Sequence, residues 1–318
     1  MNLIQFRKEN GKTAVGIIQN GKLFLLEKFN SAYQLLWQSI NENITPSQFL
    51  SSFKMEEVVD YNKIVEEKRL LVPLAHPDPY HTWITGTGLT HFGSAFSRDE
   101  MHRKDTKVNN EENDSIKMFK MGVKEGKPIN GRQGVQPEWF YKGNGLIIIN
   151  PGENIKSPKF ALDLSEEPEL VGIYIIDRTG NPRRIGFALG NEFSDHKMEK
   201  INYLYLAHSK LRGCSYGPEL NFNIRPENIT GKSSIIRNRK IIWAKEFTTG
   251  ETHMSHSIAN LEYHHFKYEI FRQPGDVHIH FFGTSVMSFT DHIETREGDC
   301  FEVKAKGFGA ALINTWIN

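Results

Sequence analysis

Two short apolar runs, 14–18 and 22–26, flank the dipeptide Asn20-Gly21 near the start of the chain. An Asn-Gly pair between apolar runs predicts a tight β-hairpin, because both turn positions need a positive φ. Ser31 then stands before 32–40, where apolar residues fall on one face, and predicts a helix with a serine N-cap. Thr45-Pro46 predicts a second helix, with proline at its first position. Together these elements predict a small α+β unit over residues 1–75, closed off by Pro73, Pro77 and Pro79.

Beyond the prolines the pattern changes. Residues 83–91 read as a strand ending in small residues, and 94–124 are rich in charge and amide, which predicts a helix plus a loop that could serve as a lid. From 171 onward strand signals dominate, at 171–176, 185–190, 235–247, 263–271 and 277–289, with turn residues between them. Few helical patterns interrupt them. The expected class is therefore α+β, mainly β, with a sandwich or rolled sheet in the larger part.

Composition excludes several functions. With 318 residues and a net charge of +1 spread over interspersed signs, the chain lacks the clustered basic surface that nucleic-acid binding needs. Its start carries no basic-then-apolar leader, and no apolar run is long enough to span a bilayer. Only Cys214 and Cys300 occur, so no disulfide framework is implied and a reducing, cytoplasmic setting is expected. Cys214 has no partnering motif and reads as a small buried hydrophobe.

Candidate chemistry concentrates at Glu166-Glu167-Pro168-Glu169, which runs straight into a strand. Period two puts Glu167 and Glu169 on the same side of the extended chain. Glu192 stands at the polar end of the next apolar strand. Three oxygen donors so placed suit Mg²⁺, Mn²⁺ or Ca²⁺, whereas the plain alternative is a solvated acidic turn. Lys142 lies among aromatics in Trp139-Phe140-Tyr141-Lys142, where it either meets a substrate carboxylate or snorkels over an apolar patch. His91, Glu100 and His102 fall in the lid region as candidates for acid/base work, or as ordinary surface groups. His278 and His280 share one face of a strand; with no third soft ligand nearby, a hydrogen-bonded pair is expected rather than a zinc site.

In their order along the chain these pieces resemble the fumarylacetoacetate hydrolase superfamily. The family's E-x-E pair appears as Glu167-Pro168-Glu169. Its N-D-x-S-x-R-D segment looks like Asn191-Glu192-Phe193-Ser194-Asp195-His196, and its Phe-x-Lys element like Phe140-Tyr141-Lys142. The S-K-x-x-x-G-x-x-x-G-P element is similar to Ser209–Pro218, and the C-terminal G-T element to Gly283-Thr284. The likeness covers about residues 80–318, and it is nearer to the 2-keto-3-deoxy-pentonate (arabinonate-type) dehydratases, which carry a small N-terminal domain.

The resemblance implies a mixed β-sandwich roll over 80–318 behind an α+β domain over 1–75, assembled as a homodimer or homotetramer. It implies a small 2-keto acid substrate and no organic cofactor. The metal, expected to be Mg²⁺ with Mn²⁺ or Ca²⁺ as alternatives, would be bound by Glu167, Glu169 and Glu192 and would chelate the C1 carboxylate and C2 carbonyl. Lys210 would hold a substrate oxygen, and Lys142, Ser209 and Thr284 would position the substrate. His91 or Glu100 would move the proton, and Glu166 would be a solvated neighbour. Dehydration of a 2-keto-3-deoxy sugar acid to 2,5-dioxopentanoate is the expected reaction. C–C hydrolysis of a diketo acid, decarboxylation of an oxaloacetate-like acid and non-catalytic binding of a sugar acid are the alternatives. Here glutamate stands where the family has aspartate, which lengthens one ligand arm by a methylene.

Overall fold

The structure, a computed structural model, describes residues 1–53, 58–103, 113–129 and 132–318. The Asn20-Gly21 turn forms as expected, with φ of 49° and 74°, and joins strands Thr13–Gln19 and Lys22–Leu25. Ser31 caps helix Ala32–Asn41, and Thr45 makes a full capping box with Gln48 at the head of Pro46–Ser51.

Two sheets carry the fold. In the larger one, strand Pro168–Ile176 is buried along its whole length and pairs antiparallel with Pro182–Asn191 on one side and Val277–Phe281 on the other. Val277–Phe281 pairs in parallel with Thr82–Gly86, which in turn pairs with Phe140–Asn144. On the far side, Leu220–Asn221 links Pro182–Asn191 to Asn2–Arg7, so the N-terminal strands extend the same sheet. The smaller sheet runs Lys240–Thr249, Ile229–Arg237, Cys300–Ala305, Leu312–Ile317 and Asn154–Lys156. Leu170, Phe187 and Leu189 of the first meet Phe247, Val303 and Leu312 of the second in one apolar cluster. The protein is thus α+β and mainly β, built on mixed sheets.

Three expectations need correction. The single strand expected over 235–247 is a hairpin, turning at Asn238 and Arg239 with φ of 51° and 64° and no glycine to signal it. Residues 263–271, expected as a strand, form the end of helix Ile258–Phe266, capped by Ser257, and a 3₁₀ turn. The strand expected over 277–289 stops at Phe281, because Gly283 turns the chain in the left-handed region at φ 95°. The lid region holds helices Phe92–Arg103 and Asp114–Glu125; residues 104–112 lie outside the described residues. Among the described residues no helix is long and apolar enough to cross a membrane.

Candidate metal centre and its pocket

Strand pairing brings the three carboxylates together. Glu169 stands opposite Gly190 and Pro168 opposite Asn191, and the register continues past the strand ends, where the Glu192 amide donates to the Glu167 carbonyl at 3.0 Å. Asn191 Oδ1 accepts from the Glu167 amide at 3.1 Å, which pins the acidic turn to the neighbouring strand. One oxygen from each of Glu167, Glu169 and Glu192 then lies within 4.8 Å of the others, and all three residues are buried.

Such a cluster is electrostatically incomplete. Burial, then the charges of Glu192 and Glu167, push the Glu169 carboxyl well above its usual range. Burial also raises Glu192, although Lys142 and Lys210 pull the other way. Glu167 is the exception: burial would raise it, but Lys210 and His196 together hold it well below the usual value. Lys142, Lys210 and His196 are all taken by Glu167 and Glu192, which leaves Glu169 bonded to no cation of the site. An all-oxygen donor set of this charge fits a hard divalent cation.

Lys210, at the end of the short helix Leu206–Lys210, donates to Glu167 Oε1 and Glu192 Oε2, both at 2.6 Å, and to Ser194 Oγ at 2.9 Å. These carboxylates outweigh burial and raise its pKa, so it stays charged. Lys142 is different. Its ammonium is wholly buried and bonds Glu192 Oε1, the Phe193 carbonyl at 2.7 Å and the Lys210 carbonyl at 2.9 Å. Unlike Lys210 it is not a wall of the pocket, so the expected substrate contact becomes a brace for Glu192.

Glu166 also departs from expectation. Rather than standing in solvent it is fully buried, and it accepts from the Ser288 amide at 2.7 Å and hydroxyl at 2.8 Å. Burial raises its pKa to about 7.

Beside the carboxylates lies a small pocket of about 20 Å³, room for about one water molecule, walled by Glu167, Lys210, His196, Glu199, Arg98 and Thr284 among others. Thr284 Oγ1 is bonded to the Pro168 carbonyl at 2.9 Å, and the Gly283 amide donates to Glu169 Oε2 at 2.6 Å. Ser209 is turned away, its hydroxyl donating to the Leu206 carbonyl at 2.7 Å. His91 is buried with one ring nitrogen 2.9 Å from Thr90 Oγ1 and the other 3.2 Å from Thr249 Oγ1, and is not a wall of the pocket. Glu100 and His102 belong to helix Phe92–Arg103, but their side chains lie outside the described residues.

Three pocket residues escaped the sequence. His196 Nε2 meets Glu167 Oε1 at 2.8 Å while its buried Nδ1 has no partner. It occupies the arginine position of the N-D-x-S-x-R-D pattern, a signal that could have singled it out. Arg98, on helix Phe92–Arg103, donates from Nη1 to both oxygens of Glu138 at 2.8 Å and pairs through Nε with Glu199 Oε1 at 2.7 Å. No local pattern marks that clasp, because its members come from three distant segments.

His278 and His280 are buried and hydrogen-bonded, each to its own partner: His278 Nδ1 lies 2.9 Å from His265 Nε2, and His280 Nδ1 lies 2.7 Å from Thr85 Oγ1. Among the described residues the glutamate triad is the one group arranged to hold an ion.

No family model matches this chain, and no curated protein does. Solved structures do. A hexagonal crystal form of 2-keto-3-deoxyarabinonate dehydratase superposes with a TM-score of 0.73 at 18% identity, covering 100% of this chain and 99% of that one. A 2-keto-3-deoxy-D-arabinonate dehydratase complexed with magnesium and 2,5-dioxopentanoate gives 0.72 at 18% identity, over 99% and 98%. Fumarylacetoacetate hydrolase from Exiguobacterium antarcticum gives 0.62 at 15% identity, over 99% of both chains. The resemblance carried by the motifs thus holds at the level of the fold: this chain is built on the fold that 2-keto-3-deoxyarabinonate dehydratase shares with fumarylacetoacetate hydrolase.

Proposed function

We propose that this chain is a metal-dependent hydro-lyase that removes water from a 2-keto-3-deoxy sugar acid of the pentonate type to give 2,5-dioxopentanoate. The observation that carries the reading is the buried Glu167, Glu169, Glu192 cluster, whose Glu167 walls a small pocket beside a charged Lys210. A divalent cation held by these carboxylates, Mg²⁺ by donor type, supplies Lewis-acid polarisation of the 2-keto acid and so acidifies its C3 proton.

The rest is the work of side chains. Lys210 offers a fixed positive charge to the substrate carboxylate or to the oxygen that becomes an enolate. Lys142 keeps Glu192 in place from behind, and Thr284 forms part of the wall. Glu100, on the helix that contributes Arg98 to the pocket, is assigned proton transfer: one proton leaves C3 and one joins the departing C4 hydroxyl. The C–C hydrolase alternative needs a free His–Glu pair on the lid. Both ring nitrogens of His91 have threonine partners, which favours the lyase. A homodimer or homotetramer belongs to the same proposal and is checked by light scattering.

The deciding experiment incubates the protein with 2-keto-3-deoxy pentonates of both configurations and Mg²⁺ or Mn²⁺, with product mass as the readout. Loss of one water supports the lyase; a diketo acid splitting into two acids would replace it with the hydrolase.

A further inference from the structure

Helix His196–Ile201 is short, starts at an Asp195 cap and places His196 and Glu199 three residues apart, on one face. Both are buried walls of the pocket. Glu199 has one oxygen engaged, Oε1 with Arg98 Nε at 2.7 Å. Its other oxygen, Oε2, is buried and has no hydrogen-bond partner among the described residues. A carboxylate oxygen stripped of water and left without a donor is costly, and native structures keep such groups where a ligand completes them.

We infer that Glu199 reads the hydroxylated tail of the substrate, its Oε2 accepting a hydrogen bond from a distal O–H. This rests on the proposed keto-acid chemistry and names the specificity element of the same pocket. The charge pattern decides which donor fits. Arg98 is shared between Glu138 and Glu199, so the clasp carries two carboxylates on one guanidinium among the described residues. Glu199 Oε2 is an acceptor without a donor, so a substrate hydroxyl completes it, whereas a second substrate carboxylate, itself only an acceptor, does not. At the other end, the positive charge of Lys210 and of a cation held by the carboxylates would take the anionic keto-acid head. The pocket is thereby polarised: charged head toward Lys210, hydroxyl tail toward Glu199. The pocket, with room for about one water here, must widen to admit such an acid; by charge and acceptor pattern polyhydroxy 2-keto acids match it, and dicarboxylic keto acids such as oxaloacetate do not.

The test uses the full chain with Mg²⁺ and three probes: a 2-keto-3-deoxy pentonate, pyruvate, which has the head alone, and oxaloacetate. In E199Q, KM for the pentonate rises roughly 10- to 100-fold with kcat much less affected, since a charged acceptor is lost. The Kd for pyruvate stays within about twofold, and oxaloacetate binds several-fold tighter because the repelling charge is gone. E199D retains the charge but withdraws the oxygen by a methylene, and shows the KM rise without the gain for oxaloacetate. An unchanged pentonate KM in both variants overturns the inference alone, as does a parallel loss of pyruvate affinity, which marks general damage to the site. If the unmodified protein binds pyruvate but neither binds nor turns over any sugar acid, the proposed substrate class falls together with the inference.

Discussion

Acid should unfold this protein through its buried histidines, and the effect can be isolated at two of them. His278 and His280 sit fully buried in strand Val277–Phe281, and burial lowers each pKa to about 3. In the unfolded chain both titrate near 6.5. Between those values the unfolded state takes protons that the folded state refuses, so the stability these residues permit is complete above pH 6.5 and is lost as pH falls toward 3. At pH 5 the loss is about 2 kcal/mol per residue, or about 4 kcal/mol for the pair, a large share of a typical 5–15 kcal/mol. Glu166 acts with the opposite sign: its raised carboxyl, near pH 7, binds a proton more readily when folded, so it gains stability as pH falls through that range. A double variant removes the histidine contribution alone. In H278N/H280N each asparagine Oδ1 replaces Nδ1 as a partner for His265 and Thr85. Urea unfolding at pH 8 and pH 5 gives the readout. The unmodified protein should lose about 4 kcal/mol more than the variant between the two pH values, since Glu166 is common to both. Equal losses, within about 1 kcal/mol, would refute the reasoning and place the protonation elsewhere.

Other outcomes follow from the site. Glu169→Gln should abolish bound Mg²⁺, measured by elemental analysis, and with it turnover; unchanged metal content and rate would sink the metal assignment. Lys142→Met leaves a buried Glu192 with one cation instead of two, and should lower stability by about 3–5 kcal/mol in a denaturant melt while weakening metal binding roughly 10- to 100-fold. Gly283→Ala would put a Cβ 2.2 Å from Thr90 Oγ1 in a left-handed backbone, so it should cost more than about 1 kcal/mol by thermal melt and disturb the Glu169 partner amide.

Much of this was legible from local rules. The Asn20-Gly21 hairpin is a matter of positive φ, and the helix caps at Ser31 and Thr45 are a matter of orphan N–H groups; both are decided within four residues. Glu167 and Glu169 face one way because strands repeat every two residues. What failed was decided at a distance. The aromatic-rich run around His264 and His265 has strand-like composition, but its histidines are held against Gly134, Trp139 and His278, and the segment is helical. Glu166 looked solvated until the fold supplied Ser288, 122 residues away. Lys142 and Arg98 became braces and clasps through carboxylates delivered by other elements, which no spacing along the chain announces.

The continuity of the large sheet bears on how the chain reaches its native state. Asn2–Arg7 pairs with Leu220–Asn221, and Asn2 Nδ2 bonds Glu219, 217 residues apart. The hairpin after it can form early, from local contacts alone. Strand Asn2–Arg7, however, covered by Leu70–Leu71 only at Gln5 and Phe6, keeps its edge open at Asn2 and Leu3 until the segment near residue 220 has been synthesised and folded against Pro182–Asn191. Closing so long a loop is entropically slow, and an exposed strand edge is adhesive meanwhile. Refolding yield should therefore depend on concentration through this N-terminal edge rather than through the metal site.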